Sequence, residues 1–225
     1  MEIRKQNPDV GMKEQSQKKN YQNELEGLIE SLKGERKKVL LHSCCAPCSS
    51  YCMEYLRRYF DLTVFYFNPN ITCATEYEKR VAEQKRLIEE YNRIENENRI
   101  AFLEGNYSPS CFLSYCKGLE SCPEGGERCF KCFELRLLET AKCAKVLGMD
   151  YFTTTLTISP LKNAAKINEI GREIGSREQI AFLPSDFKKN NGYLRSIELS
   201  KQYGLYRQDY CGCAFSKAER DKERE

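Results

Sequence analysis

Hydrophobic and polar positions along the chain follow the pattern of strands that alternate with helices. Short apolar runs predict buried strands, and apolar residues repeated at intervals of three or four predict helices. The pattern predicts strands at 37–43, 62–68, 100–104, 151–158 and 179–184, and helices at 25–32, 49–60, 75–96, 127–147, 163–175 and 193–203. This alternation is typical of a single α/β domain.

Five strands that alternate with helices predict an α/β fold with an open, mostly parallel sheet and helices on both faces, and therefore three layers. Ligands of such sheets bind at the carboxyl ends of the strands, where the strand order reverses. Because residues 42–48 follow the first strand, we expect the functional site there.

The chain divides into a polar leader with a short helix at 1–36, a single catalytic α/β domain at 37–215 and a charged tail at 216–225. Within the domain, residues 105–126 lack both periodicities and contain two prolines and three cysteines. This segment is predicted to be a long loop, and such loops are more often functional than idle.

The cysteine content indicates the chemistry. Thirteen of the 225 residues are cysteines, although the first residues lack the apolar segment of a secretory signal and no apolar run is long enough to cross a membrane. We therefore expect a cytoplasmic protein without a membrane partner, whose reduced thiols serve metal or redox chemistry. Since His42 is the only histidine, thiolates are the remaining soft metal ligands.

Two groups of cysteines lie at the starts of predicted helices. Three cysteines in HSCCAPC at 42–48 follow the first strand, and the two cysteines of ERCFKC at 127–132 are three residues apart on one helix face. A helix amino terminus favours the thiolate over the thiol, and the neighbouring Arg128 and Lys131 are expected to add to this effect.

The separation of these groups bears on the type of site. Paired motifs of zinc ribbons usually lie ~15–20 residues apart, whereas Cys48 and Cys129 are much farther apart in the sequence. A site gathered from distant loops is more often catalytic, and four thiolates can hold an iron–sulfur cluster or zinc. A cluster is favoured, with structural zinc and scattered free thiols as alternatives.

Cys211-Gly212-Cys213 forms the third group. Thiols at this spacing close a disulfide bond only with strained geometry, and strained disulfides are the labile, oxidising kind. The alternative is a site in which both thiolates bind a metal and Gly212 permits the tight turn. The other cysteines carry weaker signals: Cys52 and Cys143 are predicted core residues, and the roles of Cys48, Cys73, Cys111, Cys116 and Cys122 are not determined by the sequence.

Four segments together resemble one known family. The cysteine motifs at 42–48 and 127–132, TTTLTISPLKN at 153–163 and the segment 183–213 are similar to the QueH family of epoxyqueuosine reductases. The resemblance spans residues 37–215. It implies a nucleotide α-hydrolase-like (HUP, Rossmann-like) fold and the last step of queuosine biosynthesis, in which the cyclopentane epoxide of a modified tRNA anticodon nucleoside is reduced to the alkene.

The resemblance also implies a set of site residues. As ligands of a [4Fe-4S] cluster it implies Cys44, Cys45, Cys129 and Cys132. As a redox-active pair it implies Cys211 and Cys213. The family is further associated with a metal ion beside the cluster, a mononuclear iron, for which the same pair and a carboxylate, either Asp186 or Asp209, would be the ligands. This assignment competes with a redox disulfide.

Electron counting supports two redox centres. The conversion of an epoxide to an alkene takes two electrons and two protons, whereas a cubane cluster ordinarily transfers one electron at a time. We therefore expect the cluster and the Cys211/Cys213 pair to act together, with protons from solvent or from His42. Otherwise His42 is a satisfied histidine at a strand end. The sequence indicates neither the electron donor nor the oligomeric state.

A tRNA partner requires a local basic patch, because the net charge of the chain is only +3. Lys188, Lys189, Arg195 and Arg207 alternate with tyrosines, and these residues are predicted to bind phosphates and to stack an unpaired base. The alternative is a solvated helix face with tyrosines in the core.

Two other functions fit part of the sequence. A cluster-dependent tRNA thiolase on the same kind of sheet would need a glycine-rich ATP-binding loop after the first strand, and CCAPCSS at that position contains no glycine. A zinc-stabilised RNA-binding module would contain zinc without iron and would have no catalytic activity.

Overall fold

The computed structural model describes residues 19–94 and 98–224. Within these residues the strands are β1 Lys37–His42, β2 Phe60–Tyr66, β3 Ala101–Glu104, β4 Tyr151–Thr154 and β5 Ala181–Phe182. The helices are α1 Tyr21–Ser31, α2 Ala46–Leu56, α3 Ala74–Ile94, α4 Pro109–Tyr115, α5 Glu127–Val146, α6 Ala164–Glu178, α7 Gly192–Gln202 and α8 Ala214–Lys222. None of these helices is both long and apolar enough to span a bilayer. Residues 1–18 of the predicted leader and the predicted helix end at Asn96 lie outside the described residues.

The five strands form one sheet in the order β3-β2-β1-β4-β5, and every pair is parallel. The chain proceeds from β1 outward to β3 on one side and then from β4 outward to β5 on the other. The strand order therefore reverses between β1 and β4, which places the ligand-binding crevice at the carboxyl ends of these two strands. The predicted α/β fold is confirmed, with a fully parallel sheet.

The sheet is covered on both faces, so β1 carries apolar side chains on both sides. Val39 and Leu41 belong to the core that includes side chains of α1, α2 and α3, and α7 packs against α2. Leu40 points to the opposite face and belongs to the core built with α4, α5 and α6. The three predicted layers are therefore present.

β4 ends earlier than predicted. The strand predicted at 151–158 stops at Thr154, and a 3-10 turn occupies Thr155–Ile158. The hydroxyl of Thr154 accepts a hydrogen bond from the backbone N–H of Leu156 (3.1 Å), and this local turn replaces the continuation of the strand. Consequently Thr155 lies at the edge of the sheet, beside the loop that follows β1.

The structure contains two helices that the periodicity did not predict. Helix α4 lies within the segment 105–126, which was predicted to be a loop, and it buries Phe112. Helix α8 begins at Ala214, before the predicted boundary of the charged tail at 216–225. The tail is thus helical as far as Lys222.

A matched pair of glycine substitutions tests the packing of α6 on the sheet. In Gly171→Ala the new Cβ would lie 2.5 Å from the ring of Phe182 in β5, whereas a Cβ at Gly27 in α1 would meet nothing within 4 Å. We expect Gly171→Ala to lower the free energy of unfolding by about 1–3 kcal/mol through overpacking. Gly27→Ala should raise it by about 0.5–1 kcal/mol, because alanine favours the helix. Urea unfolding measures both values, and equal stability of the two variants would contradict the packing.

Candidate metal centre

The loop after β1 gathers three thiols. Cys44 and Cys45 follow the strand, and α2 begins at Ala46, so that Cys48 lies in its first turn. The Sγ atoms of these three cysteines all lie within 4.8 Å of one another, and those of Cys44 and Cys45 are 3.9 Å apart. The sequence left the role of Cys48 undetermined, whereas the structure places it in the same group as the two predicted ligands.

Cys44 is the most acidic of these three thiols. Hydrogen bonds from the thiols of Cys45 and Cys48 hold the pKa of Cys44 well below its usual value. The same hydrogen bonding raises the pKa of Cys45 to about 11 and also raises that of Cys48. The hydroxyl of Thr155 donates to the Cys44 sulfur (3.3 Å) and accepts from the Cys44 backbone N–H (3.2 Å). The loop therefore presents a stabilised thiolate, which is a soft metal ligand.

The second group lies at the start of α5. Cys129 is half-buried and accepts a hydrogen bond from the backbone N–H of Gly125 (3.2 Å), and Cys132 is buried one turn later. Burial raises the pKa of both thiols, that of Cys132 to about 12. These two cysteines are thus neutral in the apoprotein, and metal binding would have to displace their protons.

The basic residues beside these thiols serve other partners. Arg128 is buried, donates to the backbone carbonyls of Glu120 (2.8 Å) and Cys122, and pairs with Glu219 of α8 (3.2 Å). Lys131 pairs with a glutamate one turn along α5 (2.8 Å). The expected stabilisation of thiolates by these two cations is therefore outweighed by burial.

The third group contains a pair of free thiols. The Sγ atoms of Cys211 and Cys213 are 3.4 Å apart and are not joined by a disulfide bond. The hydrogen bond between them lowers the pKa of Cys211 to about 6 and raises the pKa of Cys213. One sulfur of the pair is thus a thiolate near neutral pH, which suits either redox exchange or metal binding.

Residues that follow β2 hold this pair in place. The side chains of Asn70 and Arg80 both donate to the backbone carbonyl of Cys211 (3.3 Å each), and the backbone N–H of Thr72 donates to that of Gly212 (3.2 Å). Arg80 is only 2% exposed, so the surrounding residues hold its guanidinium in a fixed position. The position of the pair is therefore set by the strand adjacent to β1.

Two adjoining cavities bring the three groups together. The first has a volume of about 270 Å³ and is bordered by the three thiols of the loop after β1 and by Cys211. The second is bordered by the two cysteines of α5 together with Cys211 and Cys213. Motifs that are far apart in the sequence thus border adjoining cavities that share Cys211, although neither of these two cavities is bordered by both Cys44/Cys45 and Cys129/Cys132.

The wall shared by the cavities contains two cations that were not among the site residues predicted from the sequence. Arg136 and Lys162 border both cavities. In the described part of the chain no carboxylate lies within 4.0 Å of either side chain. Arg136 follows Cys132 by one helical turn, a spacing that could have indicated it. Thiols together with unpaired cations fit an anionic cluster ligated by thiolates.

His42 is buried at the end of β1 and borders neither cavity. Its Nε2–H donates to the carbonyl of Phe67 (3.1 Å), and its Nδ1 accepts from the hydroxyl of Thr154 (2.9 Å). Burial lowers the pKa of His42 to about 3, so the ring is neutral at physiological pH. These contacts match a satisfied histidine at a strand end, and within the described part of the chain its ring nitrogens contact Thr154 and Phe67, neither of which borders a cavity.

The two carboxylates named as candidate metal ligands lie in different places. Asp209 borders the first cavity and pairs with Arg224. Asp186 borders neither cavity and pairs with a neighbouring lysine (2.6 Å). A further carboxylate, Glu124, borders both cavities. Its loop has no periodicity, so only the tertiary structure reveals its position.

The basic residues predicted to bind tRNA differ in their surroundings. Arg207 is exposed and borders the first cavity, and Lys189 is exposed as well. By contrast, Arg195 pairs with two glutamates (2.7 and 3.1 Å), and Lys188 pairs with Asp186 (2.6 Å). Arg207 is therefore the residue of this set that is best placed to contact a ligand in the cavity.

The remaining cysteines lie away from both cavities. Cys52, a residue of α2, is fully buried in the core on one face of the sheet. Cys143, a residue of α5, is half-buried and packs against the core on the other face. Both were predicted to be core residues. The cysteines without an assigned role are buried Cys116, half-buried Cys122 and exposed Cys73 and Cys111. None of the six borders either cavity.

Comparison with known proteins gives consistent matches over nearly the whole chain. The sequence model of a family described as epoxyqueuosine reductase QueH matches residues 39–219. Proteins named epoxyqueuosine reductase QueH from Staphylococcus epidermidis and Streptococcus pyogenes are 44% and 43% identical to this chain, covering 91% and 89% of it and 87% and 79% of their own lengths. A protein of the same name from Thermotoga maritima is 36% identical over 81% of this chain and 91% of its own length.

Substitution of Gly212 tests how tightly the terminal thiol pair is held. Gly212 has φ +110°, and a Cβ there would lie 2.7 Å from Ile71 and 3.2 Å from Arg80. Gly118 also has a positive φ (+83°), but a Cβ there would meet nothing within 4 Å. We expect Gly212→Ala to displace the segment, so that iodoacetamide alkylates the buried Cys213 about tenfold faster, equivalent to ~1.4 kcal/mol.

Gly118→Ala is the matched control, because it incurs the backbone strain of a positive φ without the steric clash. Mass spectrometry of the reduced protein under anaerobic conditions gives the alkylation rate of each cysteine. If Cys213 reacts at the same rate in the two variants, the segment does not depend on the close contact at Gly212.

Proposed function

The chain belongs to the QueH family of epoxyqueuosine reductases, and we propose that its thiol-lined cavities reduce epoxyqueuosine in tRNA to queuosine. The observation that carries this proposal is the convergence of three separate cysteine motifs on two adjoining cavities at the crevice of the sheet. In this reaction the two C–O bonds of the epoxide break, two electrons and two protons are taken up, and an alkene and water form. The chain is thus an oxidoreductase.

As the resident cofactor we propose a [4Fe-4S] cluster bound by Cys44, Cys45, Cys129 and Cys132. The support is the neighbourhood of the two groups around the cavities and the thiolate character of Cys44. Such a cluster, when bound, supplies electrons one at a time. Cys48 shares the 4.8 Å group of the loop, so it is the alternative ligand from that loop.

To supply both electrons and both protons of the reduction together we propose the Cys211/Cys213 pair, whose disulfide a bound cluster would reduce again one electron at a time. A dithiol releases two electrons and two protons when it closes to a disulfide, and these two sulfurs are already 3.4 Å apart. Cys211 borders both cavities and so lies between the α5 cysteines and the first cavity. A mononuclear iron held by the same pair is the competing assignment, for which Asp209 is better placed than Asp186 because it borders the cavity.

We propose that the first cavity takes the modified part of a single unpaired nucleoside. Its volume of about 270 Å³ is just below the ~300–1,000 Å³ of typical ligand pockets, and a duplex would not fit. Tyr193 and Tyr210 border it together with Arg207. Aromatic rings stack unpaired bases, and an arginine at the rim binds the adjoining phosphate.

A set of cysteine-to-serine variants tests the function and separates the roles of the cysteines. After anaerobic reconstitution, Cys129→Ser should lose the visible absorbance of the cluster and the activity. Cys213→Ser should keep the absorbance but lose turnover by about 10³-fold or more, because it lacks a group that reacts covalently. Cys143→Ser, which lies away from both cavities, is the control and should keep both.

The assay supplies dithionite as electron donor and tRNA that carries epoxyqueuosine, and mass spectrometry of nucleosides counts the queuosine formed. Iron, sulfide and zinc are measured in every preparation. A parent protein that binds zinc alone and forms no queuosine would contradict the proposed function and favour the RNA-binding module. Full turnover by Cys213→Ser would remove the terminal pair from the reaction.

The tRNA contact is tested with two arginine variants. Arg207→Gln should weaken binding of the tRNA and reduce the dependence of log K on log salt concentration by about 1, the value for one lost phosphate contact. Arg195→Gln should change this slope little, since Arg195 is already neutralised by Glu54 and Glu198. Fluorescence anisotropy at several salt concentrations measures both, and identical slopes for the two variants would rule out Arg207 as a phosphate contact.

A further inference from the structure

Two cations on the wall between the cavities have no carboxylate partner within 4.0 Å among the described residues, although the guanidinium of Arg136 lies over the ring of Phe133, 5.7 Å from its centroid. Arg136 in α5 is 4% exposed, and its Nε donates to the backbone carbonyl of Cys132 (3.1 Å). Among residues 19–94 and 98–224, no other residue forms a hydrogen bond or ion pair with its two terminal nitrogens. Lys162, in the loop before α6, is half-buried and has no ion pair within the same residues.

Sulfur atoms border the same space as these cations. The first cavity is lined by the three thiols of the loop after β1 and by Cys211, and the second by the two cysteines of α5 together with Cys211 and Cys213. Negative charge on these sulfurs raises the pKa of Arg136 and of Lys162, whereas Arg136 lowers the pKa of Lys162. Both side chains border both cavities, so each is directed toward the space that the thiol groups share.

Burial of a cation without a counter-ion destabilises a protein. The carboxylates that border the cavities form no ion pair with either cation: Glu124 accepts a hydrogen bond from Ser216 (2.9 Å), and Asp209 pairs with Arg224. A centre in which four thiolates are bound would place negative charge in the space that both cations border, and it would satisfy the two cations.

We propose that Arg136 and Lys162 are the counter-ions of the thiolate-bound cluster and that their positive charge raises its reduction potential. The inference rests on the proposed function, because it requires that a cluster is bound. Reduction adds an electron to a centre that is already anionic, so nearby positive charge stabilises the reduced state more than the oxidised state. Removal of either charge therefore shifts the reduction potential to lower values.

The two residues should differ in the size of this effect. Water screens the charge of the half-buried Lys162 more than that of Arg136, which is nearly excluded from solvent. The shift should accordingly be larger when the charge of Arg136 is removed. Lys162 is nevertheless the first residue to substitute. It lies in a loop, so its variants are expected to fold, whereas substitution of the buried Arg136 in α5 could disturb folding.

Lys162→Met removes the charge and keeps the length of the side chain, and Lys162→Arg keeps the charge. The matched control is Lys166→Met, four residues later, because Lys166 pairs with Glu169 (2.7 Å) and borders neither thiol cavity. Arg136→Met is the second variant. Each reconstituted protein is analysed for iron and sulfide, and its potential is then measured by anaerobic titration monitored by visible absorbance and electron paramagnetic resonance.

The expected result is a lower reduction potential in Lys162→Met, a larger shift in Arg136→Met, and values close to the parent in Lys162→Arg and Lys166→Met. Reduced iron and sulfide content in folded Lys162→Met, restored in Lys162→Arg, also supports the counter-ion role. A fully loaded Lys162→Met with the same potential as Lys166→Met would overturn the inference and leave the proposed function intact. A parent protein that binds no iron and sulfide would overturn both.

Discussion

Parallel pairing of β1 along both of its edges is the constraint on which the rest of the structure depends. In this register His42, the last residue of β1, lies opposite Phe65 of β2 and Thr154 of β4. Because parallel strands end at the same edge of the sheet, the three segments that follow them emerge side by side. The first brings the thiol loop, the second brings Asn70, and the third brings Thr155. The sheet therefore places these three segments beside one another.

Elements that depend on local periodicity could be predicted from the sequence, and elements that depend on side-chain turns could not. The strand predicted at 37–43 and the helix predicted at 127–147 agree with β1 and α5 to within one residue. The end of β4 was missed because the hydroxyl of Thr154 caps the following turn. Such a hydrogen bond does not change the pattern of hydrophobic positions in the sequence. Helix α4 was missed because only Phe112 is buried among its seven residues, and one buried position does not produce a helical period of apolar residues.

In the candidate site, too, some features could be predicted from the sequence and others could not. Cysteine spacing indicated three thiol groups, and for the pair at 127–132 it also indicated a shared helix face. It placed Cys48 in the loop group without determining its role, and α2 begins three residues earlier than the apolar pattern suggested, so that Cys48 lies in the first turn of the helix. Nor did it indicate Lys162, because a loop residue reaches the cavities only through the path of the tertiary fold. Charge pairing between distant segments is a property of the folded chain.

The contacts of α8 have a consequence for how the protein is made. Glu219 of this helix pairs with Arg128, and the backbone N–H of Ser216 binds the Cys213 sulfur (3.3 Å). These contacts join the segment of the Cys211/Cys213 pair to the first turn of α5. In the order of translation the cysteines after β1 leave the ribosome before this helix. The nascent chain therefore exposes these thiols before the groups that enclose them exist, so assembly of the centre must follow synthesis of α8.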